Sequence, residues 1–359
     1  MSRNIDNANS ILFENIRLYY HCSEEYKDRM DDEADYTRYI SGSLAERHWL
    51  EYFNIDKNNY LSLSNSVFFY KGNYDESLYL IVIGLPEPSC LPEGLEMIDL
   101  NAGSFLAICS DLELMVKEEY PPLKIMELIL SQHSGIDGYS GHDFNYLIPL
   151  FPKISIIKIN SDILGVNPDN LELISSLLIS YNSEFIKLPI NSDTLEKIQQ
   201  LCYKNFNLFR YDNLFQTLIT TNFKFAFLNL YRSVEMLYQL CYISDLGEKL
   251  DIDKIELLNA IDITLKWKPN ERNSLCKILN GISPNERQIL TKQLPKIIRE
   301  TTGETISSTD SLWSWLYDLR CNIVHLKVNH SVINISNKNW NLIFQGLIEV
   351  LISTYNFYD

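Results

Sequence analysis

The second half of the chain repeats one pattern, and that pattern limits the folds that are open to it. From residue 194 onward, apolar residues recur three and four positions apart, the spacing that places them on one face of an α-helix. Two stripes are clearest, formed by Phe227, Leu230, Val234, Leu237 and Cys241 and by Leu312, Leu316, Leu319, Ile323 and Leu326. Such helices can bury their apolar faces only against each other, so the sequence predicts a helical bundle.

Turn signals divide this region into seven predicted helices. Asp193 and Glu196 have the spacing of a capping box, which indicates that the first helix opens there. The predicted helices span 194–220, 222–243, 254–267, 272–279, 286–299, 310–326 and 337–356. We therefore expect residues 191–359 to form one all-α domain.

Residues 1–190 show a mixed pattern instead. Apolar spacing predicts helices within the first 60 residues, near 123–131 and after Asn167-Pro168-Asp169. Runs of branched and aromatic residues predict strands over 66–70, 78–84, 95–100, 104–109 and 153–159, with 71–76 as a hairpin connection. The predicted architecture is thus an α+β domain (1–190) followed by an all-α helical bundle (191–359).

The net charge of −16 is concentrated in the first half of the chain. Residues 1–195 hold 13 basic and 30 acidic side chains, whereas residues 196–359 hold 18 and 17. A strongly acidic surface repels nucleic acid, so any phosphate-binding role belongs to the second half. Its basic residues fit an ordinary solvated helix surface and a binding face equally well. The candidates for RNA contact are Lys266, Lys268, Arg272 and Lys327.

Several classes of protein are disfavoured by the sequence. It shows no secretory signal layout at its start and no apolar run of membrane-spanning length. Its seven cysteines are scattered without a Cys-x-x-Cys pair, and their odd number argues against a complete disulfide framework. His133, His142 and Asp143 lie in or beside a glycine-spaced segment, 134–143, that predicts a loop in preference to a metal site. We expect a cytoplasmic protein without membrane contact, metal or cofactor.

One short cluster points to chemistry. Arg320, Asn322 and His325 lie within six residues of an otherwise apolar helical pattern. A guanidinium can grip a phosphate through paired hydrogen bonds, and an imidazole can move protons near neutral pH. On an ideal helix the two side chains are separated by roughly 140°, so they reach one phosphate only if the helix distorts or a second copy contributes. A two-fold homodimer that lines one cleft with two Arg/His sets meets this requirement.

These residues resemble the signature of the HEPN superfamily. That signature is an Arg followed after four to six residues by a His near the end of a helical bundle, commonly with a polar residue such as Asn just after the Arg. The segment 227–237 is also similar to the aromatic and acidic early helix that packs beside the signature. The resemblance covers about residues 194–359. It implies a metal-independent endoribonuclease of the kind found in toxins, abortive infection and phage defence, acting as a dimer.

The resemblance also implies roles for the individual residues. His325 would take the ribose 2′-OH proton or protonate the leaving oxygen, Arg320 would stabilise charge on the phosphorane, and Asn322 would orient the RNA substrate. The route needs the 2′-OH, so it spares DNA and leaves a 2′,3′-cyclic phosphate and a 5′-OH. Glu235 is the candidate for holding Arg320, with a pair to Arg232 on its own helix as the alternative.

Two alternatives to the nuclease remain open: a non-catalytic bundle, and an enzyme in the N-terminal half, for which the sequence shows no supporting motif. The bundle can be a non-catalytic module for dimerisation or for binding a partner protein or RNA. In that case Arg320 and His325 only complement the helix dipole, worth ~0.3–1 kcal/mol each. Residues 1–190 are expected to sense a trigger or restrain the bundle, with a protein trigger or inhibitor as a further partner. Deleting them should then raise cleavage.

Overall fold

The computed structural model describes residues 3–21, 36–306, 308–325 and 334–358. The chain divides into two compact units, Met1–Leu171 and Glu172–Asp359. The predicted boundary between residues 190 and 191 falls inside the second unit. The reason is that the helix following Leu171 belongs with the later helices, as shown by Gln199, whose Nε2 donates to the carbonyl of Ser180 at 3.0 Å.

The first unit combines helices with one sheet. Its helices are α1 (Ile5–His21), α2 (Leu44–Tyr52), α3 (Ala102–Asp111), α4 (Pro122–Ile125, continued by a π-helix over Met126–Leu130), α5 (Phe144–Leu147, followed by a 3-10 turn over Ile148–Leu150) and α6 (Ser161–Leu164). Its strands are β1 (Asn54–Ser64), β2 (Val67–Tyr74), β3 (Ser77–Ile83), β4 (Leu95–Ile98) and β5 (Ile154–Ile159). The expected mixture of helix and strand is present in this unit.

All neighbouring strands of the sheet are antiparallel, in the order β1-β2-β3-β5-β4. Asp75 and Glu76 form the turn between β2 and β3, with φ of 48° and 61°. This left-handed backbone gives a two-residue turn whose twist matches the strands it joins. The central strands β3 and β5 are almost wholly buried, which explains why their sequences are continuously apolar.

Two predictions for this unit need correction. Residues 104–109, predicted as a strand, lie inside α3, which opens on Asn101 with a capping box to Ser104. Nearly all of α3 is buried, so its sequence lacks an amphipathic period and a short apolar run does not distinguish helix from strand. Strand β1 was missed because it is mostly exposed and polar.

The described residues of the second unit form helices and their connections without a strand, in agreement with the predicted all-α architecture. Its helices are α7 (Leu171–Tyr181, followed by a 3-10 turn over Ser183–Phe185), α8 (Ser192–Tyr203), α9 (Tyr211–Ile219), α10 (Phe223–Glu235), α11 (Leu237–Leu250), α12 (Lys254–Leu265), α13 (Glu271–Gly281), α14 (Gln288–Thr302), α15 (Thr309–Val324) and α16 (Asn337–Tyr358). The long helix α16 packs against α8, α10 and α14. None of the described helices is long and apolar enough to cross a membrane.

The helix boundaries differ from prediction in two places. The predicted helix 194–220 is two helices, α8 and α9, and the predicted helix 222–243 is divided into α10 and α11 at Met236. The cap of α8 is Asn191, whose side chain accepts the N–H of Thr194 at 3.0 Å, and not Asp193. Asp193 and Glu196 lie in the first turn of α8, but their three-residue spacing is the same as that of a capping box. The spacing therefore placed the predicted cap two residues after the observed one.

A buried amide ties the start of α8 to α16. Oδ1 of Asn341 accepts the N–H of Asn191 at 2.9 Å and the hydroxyl of Thr194 at 3.0 Å, and its Nδ2 donates to the carbonyl of Pro189 at 3.0 Å. Gln345, one turn further along α16, donates to the same hydroxyl at 3.0 Å. Because Asn341 and Thr194 are buried, each lost hydrogen bond leaves a polar group without water.

Replacing Asn341 with Leu should therefore destabilise the second unit by about 1–3 kcal/mol. Denaturant unfolding followed by tryptophan fluorescence measures this, since four of the five tryptophans (267, 313, 315 and 340) belong to that unit. Asn356→Leu, at an exposed position of the same helix, is the matched control and should shift stability by less than ~0.5 kcal/mol. Equal effects of the two substitutions would contradict a structural role for the buried amide.

Candidate functional site

The candidate catalytic residues lie at the C-terminal end of α15. Arg320 and Asn322 are half-buried on the last turns of the helix, and His325 is exposed. The helix ends at Val324, so His325 is the first residue beyond it, with φ −109° and ψ 97°. Its N–H still donates to the carbonyl of Cys321 at 2.8 Å. His325 is therefore the C-cap of α15: its amide still takes part in the helix, and the backbone leaves the helical path directly after it.

Arg320 is anchored by a carboxylate from another helix. Its Nε donates to Oε1 of Glu235, the last residue of α10, at 2.7 Å. The two side chains are only 19% and 27% exposed, so this ion pair is largely shielded from solvent. Arg232, the alternative partner considered for Glu235, instead donates to Oδ1 of Asn229 at 3.2 Å. The predicted contact between Glu235 and Arg320 is thus present.

A second carboxylate lies near the same guanidinium. Oε2 of Glu271, at the start of α13, is 3.9 Å from Nη1 of Arg320, which is beyond hydrogen-bond length. Glu271 also accepts a long bond of 3.4 Å from the hydroxyl of Tyr317, one turn before Arg320 on α15. Two helices, α10 and α13, therefore each bring a carboxylate to Arg320 on α15.

Burial sets the protonation behaviour of the pair. It raises the pKa of Glu235 above the usual value, and the charge of Arg320 offsets this effect only in part. Burial alone lowers the pKa of Arg320, but the carboxylates of Glu235 and Glu271 outweigh it, so the net shift is upward. The guanidinium stays charged at all ordinary pH values, and Glu235 is the group of this pair that can titrate.

Three tyrosines lie close to the charged groups of this site. The hydroxyls of Tyr231 and Tyr238 lie 2.8 Å apart in the interior, and burial raises the pKa of both. The pKa of Tyr317 is raised to about 12, first by its contact with Cys321 and then by burial. All three phenols therefore remain neutral, and the buried Tyr231 and Tyr238 provide a poorly hydrated surrounding in which charge–charge interactions are stronger than in water.

Arg272, a candidate RNA-binding residue, is tied to the same surface. Its guanidinium forms an ion pair with Asp318 and lies over the ring of Tyr317, 4.9 Å from the ring centre. Cations and carboxylates thus alternate along the α13–α15 face. Part of the guanidinium surface of Arg272 is already occupied by these partners.

The other RNA-binding candidates lie on the loop before α13. Lys266 and Lys268 are exposed there, and Lys266 ends α12 with φ 48°. The loop is fastened to α11 because the carbonyl of Trp267 accepts Nε2 of Gln239 at 3.1 Å. Lys327 lies outside the described residues.

Three residues of the site escaped the sequence analysis. Tyr317 had a usable signal, since it is three residues before Arg320 and so shares its helix face. Glu271 and Asp318 had none, because only the packing of α13 against α15 places them there.

His133 and His142, the two histidines considered as metal ligands, contact aromatic rings instead. His133 stacks on Tyr36 with ring centres 4.1 Å apart, and His142 is buried between Phe13 and Tyr139. Burial lowers the pKa of His142 to about 4. In the described part of the chain, no group of three His, Cys, Asp or Glu side chains is placed to hold a metal ion.

Comparison of the chain with protein-family models, curated proteins and solved structures found no match.

The partial burial of the Glu235–Arg320 pair should make it energetically significant. A double-mutant cycle with Glu235→Gln and Arg320→Gln should give a coupling of about 1–3 kcal/mol at neutral pH. The same cycle on Arg210 and Asp212, whose side chains are 62% and 43% exposed, is the control and should give a much smaller value. A coupling near zero for the buried pair would contradict its anchoring role.

The coupling should also weaken in acid. The pKa of Glu235 is raised above its usual 4.5, so the proton is taken up at a higher pH than in the unfolded chain. Uptake of that proton stabilises the folded state at low pH, a contribution that is lost as the pH rises through the folded pKa. The attraction between Glu235 and Arg320 depends on pH in the opposite sense. It is lost as the pH falls through the folded pKa of Glu235, because the carboxyl group then becomes neutral. Repeating the cycle from pH 7 to pH 4 measures the change.

Proposed function

We propose that the protein is an endoribonuclease that cleaves RNA through the ribose 2′-OH in a site composed from two copies of the chain. The observation that carries this proposal is the arrangement at the end of α15. There a guanidinium is fixed by Glu235, and an exposed imidazole follows at the first residue beyond the helix. These are the two chemical groups that such cleavage needs.

The reaction requires only proton transfer and charge stabilisation. His325 of one copy removes the 2′-OH proton, and the 2′ oxygen attacks the adjacent phosphorus. The bond from phosphorus to the 5′ oxygen breaks, and the imidazolium of the second copy protonates the departing oxygen. Arg320 stabilises the charge that develops on the non-bridging oxygens, and Asn322 orients the ribose or phosphate. The products are a 2′,3′-cyclic phosphate and a 5′-OH, and no metal or cofactor takes part.

The ion pair suits this role because it orients the guanidinium while its hydrogen bond occupies only the Nε donor. Glu235 accepts from Nε, and Glu271 is too distant from Nη1 for a hydrogen bond. The Nη groups therefore retain donors that can turn toward a phosphate. Glu235 acts as a positioning residue in this scheme.

Two features support a homodimer. Met236 and Val324, directly beside Glu235 and His325 in the chain, are apolar and 41% and 45% exposed. The neighbouring face carries both signs of charge, with Arg272 and Asp318 paired within one chain. A two-fold contact brings such a face against itself, so each cation can meet a carboxylate of the other copy.

The assignment to a HEPN-like bundle rests on the signature residues and on the all-helical unit that contains them. It motivates a role as a toxin or in defence against phage, with the first unit as sensor or restraint. Lys266 and Lys268, exposed on the loop that leads into α13, are the proposed RNA contacts of this scheme.

One observation favours a second candidate function. Arg320 already lies between two carboxylates, as expected of a residue that holds helices together. The bundle then serves as a non-catalytic module for dimerisation or for binding RNA or a partner protein. Loss of cleavage on mutation of His325 distinguishes the two, since His325 is exposed beyond the last residue of α15 and is not part of the packed interior.

Purified protein should cleave mixed RNA in the presence of a chelator and leave the corresponding DNA intact. His325→Ala and Arg320→Ala should each lower the rate by about a hundredfold or more, the usual contribution of a positioned acid–base or charge-stabilising group. Gel analysis combined with end-group mapping measures both the rate and the cyclic phosphate.

His48→Ala is the matched control, since His48 is also exposed but lies in the first unit. It should leave the rate unchanged. If both alanine variants at the site cleave as fast as the original chain, the activity belongs to other residues or to a contaminant.

A fragment comprising residues 172–359 should cleave RNA faster than the full chain. The reason is electrostatic, because residues 1–171 carry 27 acidic against 12 basic side chains and so repel RNA. Initial rates at low and high salt measure the effect, which should shrink as salt screens the charges. A fragment that is folded by circular dichroism yet no more active would show that the first unit does not restrain the second.

A further inference from the structure

The first unit contains a cavity that the proposed nuclease does not use. Its volume is about 870 Å³, within the range of small-molecule sites. It lies among α1, α2, the start of α3 and residues 36–42. Phe13, Leu50 and Leu106 form an apolar floor and are at most 6% exposed, while the rim is polar. An apolar floor with a few convergent polar groups is the usual form of a ligand pocket.

The wall formed by residues 36–42 is held in place from two sides. Oδ1 of the buried Asn9 accepts the N–H of Ile40 at 2.9 Å, which ties this wall to α1. On the other side, the backbone N–H of His142 donates to the carbonyl of Tyr39 at 2.8 Å, and the carbonyl of His142 accepts the N–H of Ser41 at 2.9 Å. The segment predicted from its glycines as a loop thus braces the cavity wall.

The charges around the cavity contrast with those of the unit as a whole. Residues 1–171 are strongly acidic and hold only five arginines, yet three of these, Arg17, Arg38 and Arg47, line this cavity. Nη2 of Arg38 donates to the carbonyl of Leu130 at 2.5 Å, which fixes that guanidinium. Arginines gathered at one concave site are suited to binding a phosphate or carboxylate.

Two of the carboxylates at the cavity already have donors. Glu46 accepts the N–H and hydroxyl of Ser43 at 2.7 and 2.8 Å and the N–H of Ala102 at 3.2 Å, which joins α2 to α3. Glu14 accepts hydrogen bonds from Nε and Nη2 of Arg17, both at 2.9 Å. This ion pair is exposed, so an incoming anion can take the place of Glu14. With the exposed Asp6, three carboxylates face the three arginines, so the cavity lining is formally neutral within a unit that is otherwise strongly acidic.

Two aromatic rings belong to the cavity wall formed by residues 36–42. Tyr36 and Tyr39 line the cavity and are 43% and 39% exposed. Tyr36 stacks on His133 with one face and Tyr39 meets Tyr139 edge-on, which leaves only the remaining surface of each ring for a ligand. Every nucleobase has a flat π-face, so stacking on such rings does not depend on which base is present. A bare phosphate would leave the rings and the floor unused.

From these features we propose that the cavity binds a small phosphate-bearing molecule with a planar apolar group, of the nucleoside monophosphate class. The phosphate contacts the rim arginines, with Arg47 the most accessible of them, and the base lies over the apolar floor beside the tyrosines. This gives the first unit a ligand to sense. The binding does not depend on whether the second unit is a nuclease.

Isothermal titration of the full chain tests this with AMP, adenosine and inorganic phosphate as probes. AMP should bind with one site per chain, and adenosine and phosphate should each bind at least tenfold more weakly. Arg47→Gln should weaken AMP binding by about tenfold to a hundredfold, the range for a hydrogen bond to a charged group. Ser10→Trp, at an exposed rim position of α1, should abolish binding by filling the space.

Lys153→Gln is the control, since Lys153 is an exposed cation of the same unit that does not line the cavity. It should bind AMP as the original chain does, and thermal unfolding verifies that every variant is folded. Absence of AMP binding overturns the proposal, as does binding that survives both Arg47→Gln and Ser10→Trp. Adenosine binding as tightly as AMP would exclude a phosphate site, and phosphate binding as tightly as AMP would exclude a role for the apolar floor.

Discussion

The ion pair between Glu235 and Arg320 is the interaction on which the candidate site depends. It joins the end of α10 to the last turns of α15, 85 residues apart in the chain. Because the two side chains are only 19% and 27% exposed, breaking the pair would leave a charge in a poorly hydrated place, which makes its separation costly. The position of the guanidinium is therefore fixed by the packing of two helices, while His325 lies just beyond the last residue of α15 and is exposed to solvent.

The two units differ in what they offer a ligand. In the second, cations and carboxylates alternate around Arg320 and Arg272, so a phosphate must compete with internal partners. In the first, an acidic unit concentrates three of its five arginines at one cavity, above an apolar floor. One surface suits a long polyanion that meets many contacts at once, and the other suits a small anion that is enclosed. The proposals of a nuclease and of a ligand sensor follow from that difference and are independent of each other.

The sequence predicted helices correctly where only one face of the helix is buried. The stripes beginning at Phe227 and Leu312 predicted α10 and α15 because amphipathic helices repeat every 3.6 residues. The strand predicted over 104–109 was wrong because α3 is buried on all sides and its sequence carries no period. Strand β1 was missed because its exposed residues are polar. Among site residues, Glu235 was predicted to hold Arg320 and does contact it, whereas Glu271 and Asp318 carried no signal.

The amino-acid sequence by itself determined the mixed first part and the helical second part, the uneven charge, and the Arg, Asn and His near the end of one helix. These are local properties, set by side-chain type and spacing along a few turns. Only the tertiary structure decided where α15 ends, which carboxylates surround Arg320, and that Arg17, Arg38 and Arg47 face one cavity. Those features join residues far apart in the chain, and such contacts are fixed by the packing of whole elements, which no local pattern encodes.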